Sequence, residues 1–548
     1  MFFYLLMYIP VICFAVLGLR YHTHMLQLSS YQFQGYFRHL KTDRKRVIYH
    51  LCFVMLAFIS LSVMEQNNGI RIVPAIAALV FFVGLFISYF PKKAKKKFVV
   101  TDRVKRLFVT YCVLSVIILL WPWLTMIGTG SQAAYDHSRY ILFKLVASMM
   151  IIYIGSIPFI PALGNLINKP IEQRINRWFI DDAKRMLKEH RDLRIIGITG
   201  SYGKTSVKYY LTTLLSEGFS VLMTPESYNT PMGIVRTIRE HLKPTHEIFV
   251  CEMGARHLHD IREITDIVHP DDGILTSIGY QHLETFHSLE NIISTKYELL
   301  DAVDEKEKAE GGKTPGRHLK FVNGDNEIIR NNMKYSDAIT YGLSDGNDFQ
   351  AKDVKVTGAG TSFTVSTKSG ESAEFSTKLV GRHNVENIVG AIAAASSLGV
   401  PMNKLRMAVR RLQSVPHRLE LTRHGNVAIL DDAYNSNPNG ARVALETLAL
   451  FEDSVKILVT PGMVELGEKE DEYNAEFGKQ AAAVCDYIIL VGEKNSPSIK
   501  RGAEEAGFSS ERIFVKGTFT EASALMYELD AGKEKVILLE NDLPDNYK

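Results

Sequence analysis

Five apolar stretches fall before residue 170: Phe2–Leu19, Val47–Met64, Val73–Phe90, Leu107–Ile127 and Ile141–Ile160. Each approaches the ~20 residues that a helix needs to cross a bilayer, and none contains an acidic residue. Five in succession argue against buried core helices behind a cleaved leader. Met1–Leu19 also has no basic n-region and no small-residue cleavage site, so it reads as a retained helix. A bundle of about five transmembrane helices is therefore expected over residues 1–168. Segment 20–46 carries six basic residues against Asp43, and segment 91–106 carries eight against Asp102, whereas loops 65–72 and 128–140 are nearly neutral. Basic loops stay inside. The expectation is a multi-pass protein of the cell membrane, with everything after residue 165 in the cytoplasm. The same loops suit contact with anionic lipid heads, and a net charge of +3 gives no reason to expect a nucleic-acid partner. Ile171–His190 is amphipathic and basic; it lies along the membrane surface or packs on the soluble domain. Cysteines 13, 52, 112, 251 and 485 form no C-x-x-C pair, so neither a disulfide framework nor a zinc ribbon is supported.

From residue 191 apolar strands alternate with helices. Arg194–Thr199, Glu247–Glu252, Gly273–Ile278 and Leu319–Asn323 read as a mostly parallel α/β sheet. Asp304–His318 reads as an exposed loop, Asp353–Leu379 as a small antiparallel hairpin set, and Val385–Leu398 as a helix ended by Gly399 and Pro401. Strands at Val427–Asp431, Lys456–Thr460, Tyr487–Gly492 and Val536–Glu540 read as a separate Rossmann-like domain starting near Val415. The expected division is 1–168, 169–414 and 415–548.

The first strand runs into Thr199-Gly200-Ser201-Tyr202-Gly203-Lys204-Thr205-Ser206 and then a helical pattern. Strand, glycine turn, Gly-Lys-Thr and helix make a phosphate-binding loop, although Ile198 stands where the common spacing has its first glycine. Lys204 would neutralise phosphate charge and Thr205 would offer its hydroxyl to Mg²⁺. Glu252 ends a parallel strand, facing the crevice where ligands bind, and a carboxylate there suits Mg²⁺. A solvated acid or helix cap is the alternative. His282, in Gln281-His282-Leu283-Glu284, follows the next strand, and Lys296 sits on the helix after it. Each taken alone would be an ordinary hydrogen-bonding or surface residue.

Together these stretches resemble the Mur ligase family, ATP-dependent amide ligases of peptidoglycan synthesis. The resemblance is carried by the phosphate loop through Lys208, Glu252-Met253-Gly254-Ala255, His282-Leu283-Glu284, Gly381-Arg382-His383-Asn384-Val385-Glu386-Asn387, Asp431-Asp432-Ala433-Tyr434-Asn435-Ser436-Asn437-Pro438 and Glu465-Leu466-Gly467. It covers roughly residues 190–500, and in particular resembles the member that adds D-alanyl-D-alanine to a UDP-N-acetylmuramoyl-tripeptide. The resemblance implies an α/β central ATP-binding domain and a Rossmann-like C-terminal domain, with ATP and Mg²⁺ as cofactors. Gly200, Ser201, Gly203, Lys204, Thr205 and Ser206 would hold the nucleotide phosphates. Thr205, Glu252 and His282 would ligate Mg²⁺, with Lys296 as a carbamate supporting a second ion. His383, Asn384 and Asn387 would lie near the adenine, and Arg418 and Asp432 would close onto the nucleotide from the C-terminal domain. Lys204, Lys296 and His282 are thereby the expected catalytic group.

Three departures stand out; the first two bear on the substrates, and the last is a tolerated change in the nucleotide pocket. A membrane region replaces the soluble domain that grips a UDP-linked sugar. The family's basic Lys-Gly-Ser-like stretch is replaced by Leu539-Glu540-Asn541-Asp542-Leu543-Pro544-Asp545-Asn546-Tyr547. Pro416-His417-Arg418 replaces Pro-Gly-Arg, and Ser277 stands where an Asn is expected. The expected function is a membrane-anchored amide ligase working through an acyl phosphate. Its partners would be a cell-wall precursor, UDP-linked or lipid-linked, an amino acid or dipeptide, and membrane lipids. A poly-γ-glutamate-type ligase and a non-catalytic nucleotide-sensing membrane protein are the alternatives. The full C-terminal domain weighs against the first, and the intact set Lys204, Thr205, Glu252, His282 and Lys296 against the second.

Overall fold

The computed structural model describes residues 2–63, 72–90, 97–126, 135–226, 228–312, 317–357, 360–433, 436–464, 466–530 and 532–542. The motif residues Tyr434, Asn435 and Glu465, and the tail from Leu543, lie outside them. Two compact units divide the chain, one ending at Arg177 and one covering Trp178–Leu543.

The first unit is helical: α1 (Phe2–Leu28), α2 (Phe33–Thr42), α3 (Arg44–Ser62), α4 (Ile72–Ser88), α5 (Asp102–Met126), α6 (Tyr135–Ser156) and the start of α7 (Ile160–Glu189). Among the described residues Tyr8–Leu28, Arg44–Ser62 and Asp102–Pro122 are long and apolar enough to cross a membrane. The end of α6 and α7, bent by 75° to one another, would together count as a fourth, and α4 is a shorter apolar helix. Its exterior is greasy, with Ile12, Met55, Val80, Val113 and Trp121 all exposed. The interior carries polar groups instead. The Tyr89 hydroxyl bonds the Nε2 atoms of His22 and His50, each at 2.8 Å, and Arg46 donates to the Tyr21 hydroxyl at 2.6 Å.

The second unit holds two sheets. The first has strands β1 (Arg194–Thr199), β2 (Val221–Met223), β3 (Ile248–Glu252), β4 (Asp272–Leu275), β5 (Lys320–Asn323), β6 (Ile339–Gly342), β7 (Phe349–Thr357), β8 (Gly360–Thr367) and β9 (Ser372–Thr377), in the order β2-β3-β1-β4-β5-β6-β7-β8-β9. Pairing is parallel from β2 to β7 and antiparallel for β7–β8–β9. The expected antiparallel hairpin set is β7–β8–β9, and β7 also joins β6 in parallel, which makes one mixed sheet. β1 and β3 are apolar runs (Arg-Ile-Ile-Gly-Ile-Thr, Ile-Phe-Val-Cys-Glu) because helices cover both faces. The helices Lys204–Leu215 and Arg382–Ser397 cover one face, and Leu289–Ala309 packs on the other. The last of these runs through the first residues of the expected loop Asp304–His318. Phe179, Ala183, Met186 and Leu187 of α7 pack into the same core, so this part of the amphipathic segment is a packed helix.

The second sheet, β10 (Glu420–His424), β11 (Val427–Asp432), β12 (Val455–Thr460), β13 (Tyr487–Val491), β14 (Ile513–Lys516) and β15 (Lys535–Glu540), runs β10-β11-β15-β12-β13-β14. Only β10 is antiparallel. Beside it the helices Glu470–Ala482 and Ser496–Glu505 touch backbone to backbone. A Cβ on Gly502 would fall on the Ala475 carbonyl, and one on Gly478 on the Ile499 carbonyl.

Candidate active site

Register places the chemistry. Ile198 pairs with Glu252 and Thr199 with Leu275, so the strand ends stand level and the loop after β1 begins beside Glu252. In that loop Gly200 takes φ 153° and Gly203 φ 78°. A Cβ on Gly200 would fall on the Thr276 hydroxyl, and one on Gly203 would lie 2.5 Å from Asn387 Oδ1, so only glycine fits. Gly203 is also the N-cap of Lys204–Leu215 and supplies no side-chain cap. The first-turn N–H groups are thus left for an anion.

Neighbouring loops brace this one. The Ser201 N–H donates to the Ser277 carbonyl at 2.8 Å, and its hydroxyl donates to Gly279 O and accepts from Gly279 N, both at 3.0 Å. Ser277 accepts from the Tyr202 N–H at 2.7 Å and donates to its carbonyl at 3.0 Å. The departure from Asn at 277 is thus a brace for the loop backbone. Ser206, half-buried in the first turn of the helix, meets the Tyr210 hydroxyl.

Lys204 is turned back onto its own loop, donating to the Gly200 carbonyl and, at 3.2 Å, to that of Ser201. Burial lowers its pKa to about 8, against the pull of Glu252 and with the push of Arg418. Arg418 of the C-terminal domain is therefore close enough to act electrostatically on Lys204. It also opposes the burial that raises Asp432 to about 6. Asp432 accepts from the Leu419 N–H at 3.2 Å. Beside it lies Glu540, fully buried and pushed well above the usual carboxylate range by burial and by Asp432.

Thr205 Oγ1 donates to Glu252 Oε1 at 3.0 Å, and Asn229 Nδ2 donates to the same oxygen at 3.1 Å. Burial would raise the Glu252 carboxyl, but Lys208 and Lys204 outweigh it and hold it ionised. The two oxygens fit Mg²⁺. Adjacent corners of an octahedron with metal–oxygen distances of about 2.1 Å are about 3.0 Å apart, which is the Thr205–Glu252 separation. Among the described residues no group of three His, Cys, Asp or Glu side chains converges as a metal cage. A nucleotide-borne ion needs none, since Mg²⁺ takes one or two carboxylates plus phosphate oxygens. His282 is half-buried at the left-handed N-cap (φ 52°) of the short helix Leu283–Phe286. Lys296 is buried, and desolvation together with the nearby Lys204 charge lowers it well below an ordinary lysine.

The helix Arg382–Ser397 starts three residues before the expected Val385 and brings its N-terminal end, at Asn387, to the loop. Asn387 covers Gly203. The His383 ring packs against Gly381, its Nδ1 is buried without a hydrogen-bond partner, and burial lowers it to about 4. A neutral ring with an unmet nitrogen suits an uncharged base. Asn384 is held on both sides. Its Oδ1 accepts from the Tyr210 hydroxyl at 2.7 Å and its Nδ2 donates to the Val380 carbonyl at 2.9 Å, tying two helices together. Sequence reasoning assigned no role to Lys208, Asn229 and Glu540. Lys208 stands four residues after Lys204 on one helix face, and Glu540 ends a parallel strand as Glu252 does; those two signals were present.

Two family models match the chain: the Mur ligase middle domain over residues 198–395, and the Mur ligase glutamate ligase domain over residues 417–540. The UDP-N-acetylmuramoyl-tripeptide–D-alanyl-D-alanine ligase of Escherichia coli is 27% identical over 341 residues, 60% of this chain and 73% of that protein. The Bacillus subtilis ligase of the same name is 31% identical over 299 residues, 54% of this chain and 62% of its own length. The crystal structure of MurF ligase from Thermotoga maritima in complex with ADP superposes with a TM-score of 0.58 at 25% identity, covering 67% of this chain and 80% of that one. MurF from Acinetobacter baumannii has the same fold, with a TM-score of 0.59 at 24% identity over 67% of this chain and 77% of that one. With both domains matched in order across the phosphate loop, Glu252 and Arg418, the chain belongs to the Mur ligase family.

Proposed function

We propose that this protein is a membrane-anchored amide ligase that joins an amine to a carboxylate of a peptidoglycan precursor through an acyl phosphate, as a D-alanyl-D-alanine-adding ligase does. As a Mur ligase it is ATP-dependent and ADP-forming and uses Mg²⁺. The observation that carries the reading is the set of groups gathered around one loop: open helix amides, the Lys204 ammonium, and the Thr205–Glu252 oxygen pair. A carboxylate has no good leaving group, so it must be phosphorylated before an amine can displace anything. Lys204 swings from its own carbonyls to the transferring phosphate and offsets charge as it moves. Bound Mg²⁺ would be held by Thr205, Glu252 and His282, with a carbamylated Lys296 supporting a second ion, and would supply further charge neutralisation. Burial that lowers the Lys296 ammonium favours the free amine, the form that takes up carbon dioxide. Gly200, Ser201, Gly203 and Ser206 shape the phosphate cradle. His383 and Asn387 border the base, with Asn384 behind them. Arg418 and Asp432 come in from the C-terminal domain and exclude water that would hydrolyse the acyl phosphate.

The division 1–168, 169–414 and 415–548 belongs to this reading, as does a membrane bundle of five helices with the ligase domains in the cytoplasm. The apolar exterior of α1 and α3–α6 and the basic loops support it. They favour an acceptor handled at the membrane, lipid-linked or UDP-linked. Full-length protein given a cell-wall precursor and D-alanyl-D-alanine should release ADP and phosphate in step with amide formation. Release of AMP and pyrophosphate would exclude the acyl-phosphate route.

A further inference from the structure

Lys208 is the most completely enclosed cation near the site. Its side chain is 0% exposed, and its Nζ lies 3.0 Å from Glu252 Oε2. The same Nζ donates to the Glu226 carbonyl and stands 4.9 Å from the centre of the Tyr209 ring. The ammonium is thus pinned from several sides, one helical turn beyond Lys204. Glu252 is equally fixed: its N–H donates to Thr224 Oγ1 at 3.1 Å, and Oε1 receives Thr205 and Asn229. The ion pair therefore takes one carboxylate oxygen out of play and leaves Oε1 facing the phosphate loop.

Glu252 and Lys208 cancel in charge, and the Lys204 ammonium sits nearby on the loop carbonyls. A free divalent cation arriving at this place meets one usable carboxylate oxygen, a hydroxyl and a net positive surround. Hard cations are drawn by anionic oxygen, and a nearby fixed ammonium opposes them. A polyphosphate brings the missing negative charge and the remaining oxygens.

We propose that Lys208 is a positioning residue that makes Glu252 a metal ligand only when a nucleotide polyphosphate is present, so that the divalent ion enters with the nucleotide and not before it. This rests on the assignment of Thr205 and Glu252 as the metal-holding pair. It is a statement about metal order that the ligase reading does not itself require.

The test is a Mn²⁺ titration followed by electron paramagnetic resonance on the detergent-solubilised full-length protein, with and without ADP. Wild type should bind Mn²⁺ weakly alone and at least about tenfold more tightly with ADP. Lys208→Met should bind Mn²⁺ without ADP about tenfold more tightly than wild type, because the opposing charge has gone, while Lys208→Arg should behave as wild type. A merely structural loss would weaken metal binding, so the sign of the change separates the two roles. Lys208→Gln replaces Lys208→Met if the latter loses its cooperative melting transition. Equal Mn²⁺ affinity of wild type with and without ADP overturns the proposal without any variant. So does a folded charge-removing variant that binds no more tightly than wild type; both results leave the ligase reading standing. Failure of wild type to bind Mn²⁺ even with ADP overturns the metal-holding pair and this proposal together.

Discussion

Lys204 shows how one residue sets a measurable pH limit. Below pH about 8 it carries a proton and can meet a polyphosphate; above that the nucleotide-free protein holds it neutral. Bound phosphate favours the charged form, so ADP affinity should fall as pH rises beyond about 8, by up to about tenfold per unit. Calorimetry across pH 7–10 checks this, and Lys204→Arg, whose guanidinium stays charged, should flatten the profile. Lys204→Ala should lower turnover by about 10²–10³-fold or more while leaving the melting temperature unchanged within a degree or so. The phosphate loop was plain in the chain because Gly-Lys-Thr between a strand and a helix has a local spacing. The work of Asn384 was not. Its side chain faces Tyr210, 174 residues earlier, and nothing in the neighbouring residues announces that partner. Lys208 escaped for the opposite reason: a lysine on a helix reads as a solvated charge until its burial is seen.

Elements were readable where their signal was local. β1, β11 and β12 fall within a residue of the apolar runs that announced them. The join of β7 to β6 rests on two residue pairs, Tyr341 with Phe349 and Gly342 with Gln350, which is too little pattern to predict. Hydropathy ended the first span at Leu19, yet α1 continues to Leu28. Two of its polar residues bond inside the helical unit, His22 Nε2 to the Tyr89 hydroxyl and Thr23 Oγ1 to the Leu19 carbonyl. At the loop-to-helix junction, Gly203→Ala would force a Cβ into φ 78° and against Asn387. The strain is about 1–2 kcal/mol. The expected outcome is a drop in melting temperature of a few degrees and a larger loss of ADP affinity, since the cradle and its cover move together. Equal affinity in the two proteins would mean that the cradle tolerates a side chain.

On the scale of the molecule, the exterior changes character along the chain. Large exposed apolar side chains crowd the first unit, including Val73, Val109 and Leu166, and are sparse in the second. Such a surface is expected to stay in the membrane through alkaline carbonate washing and to leave only with detergent. Recovery of the full chain in the carbonate supernatant would count against embedding. The C-terminal domain adds a different consequence. Where Gly478 and Gly502 let two helices meet at their backbones, no side chain of any chemistry has room. A saturation library sorted for ATP turnover by the protein should therefore be depleted of every substitution at these two positions, as thoroughly as at Lys204, although neither glycine belongs to the phosphate loop. Intolerance to change would then mark two kinds of place in this protein, and only one of them touches a substrate.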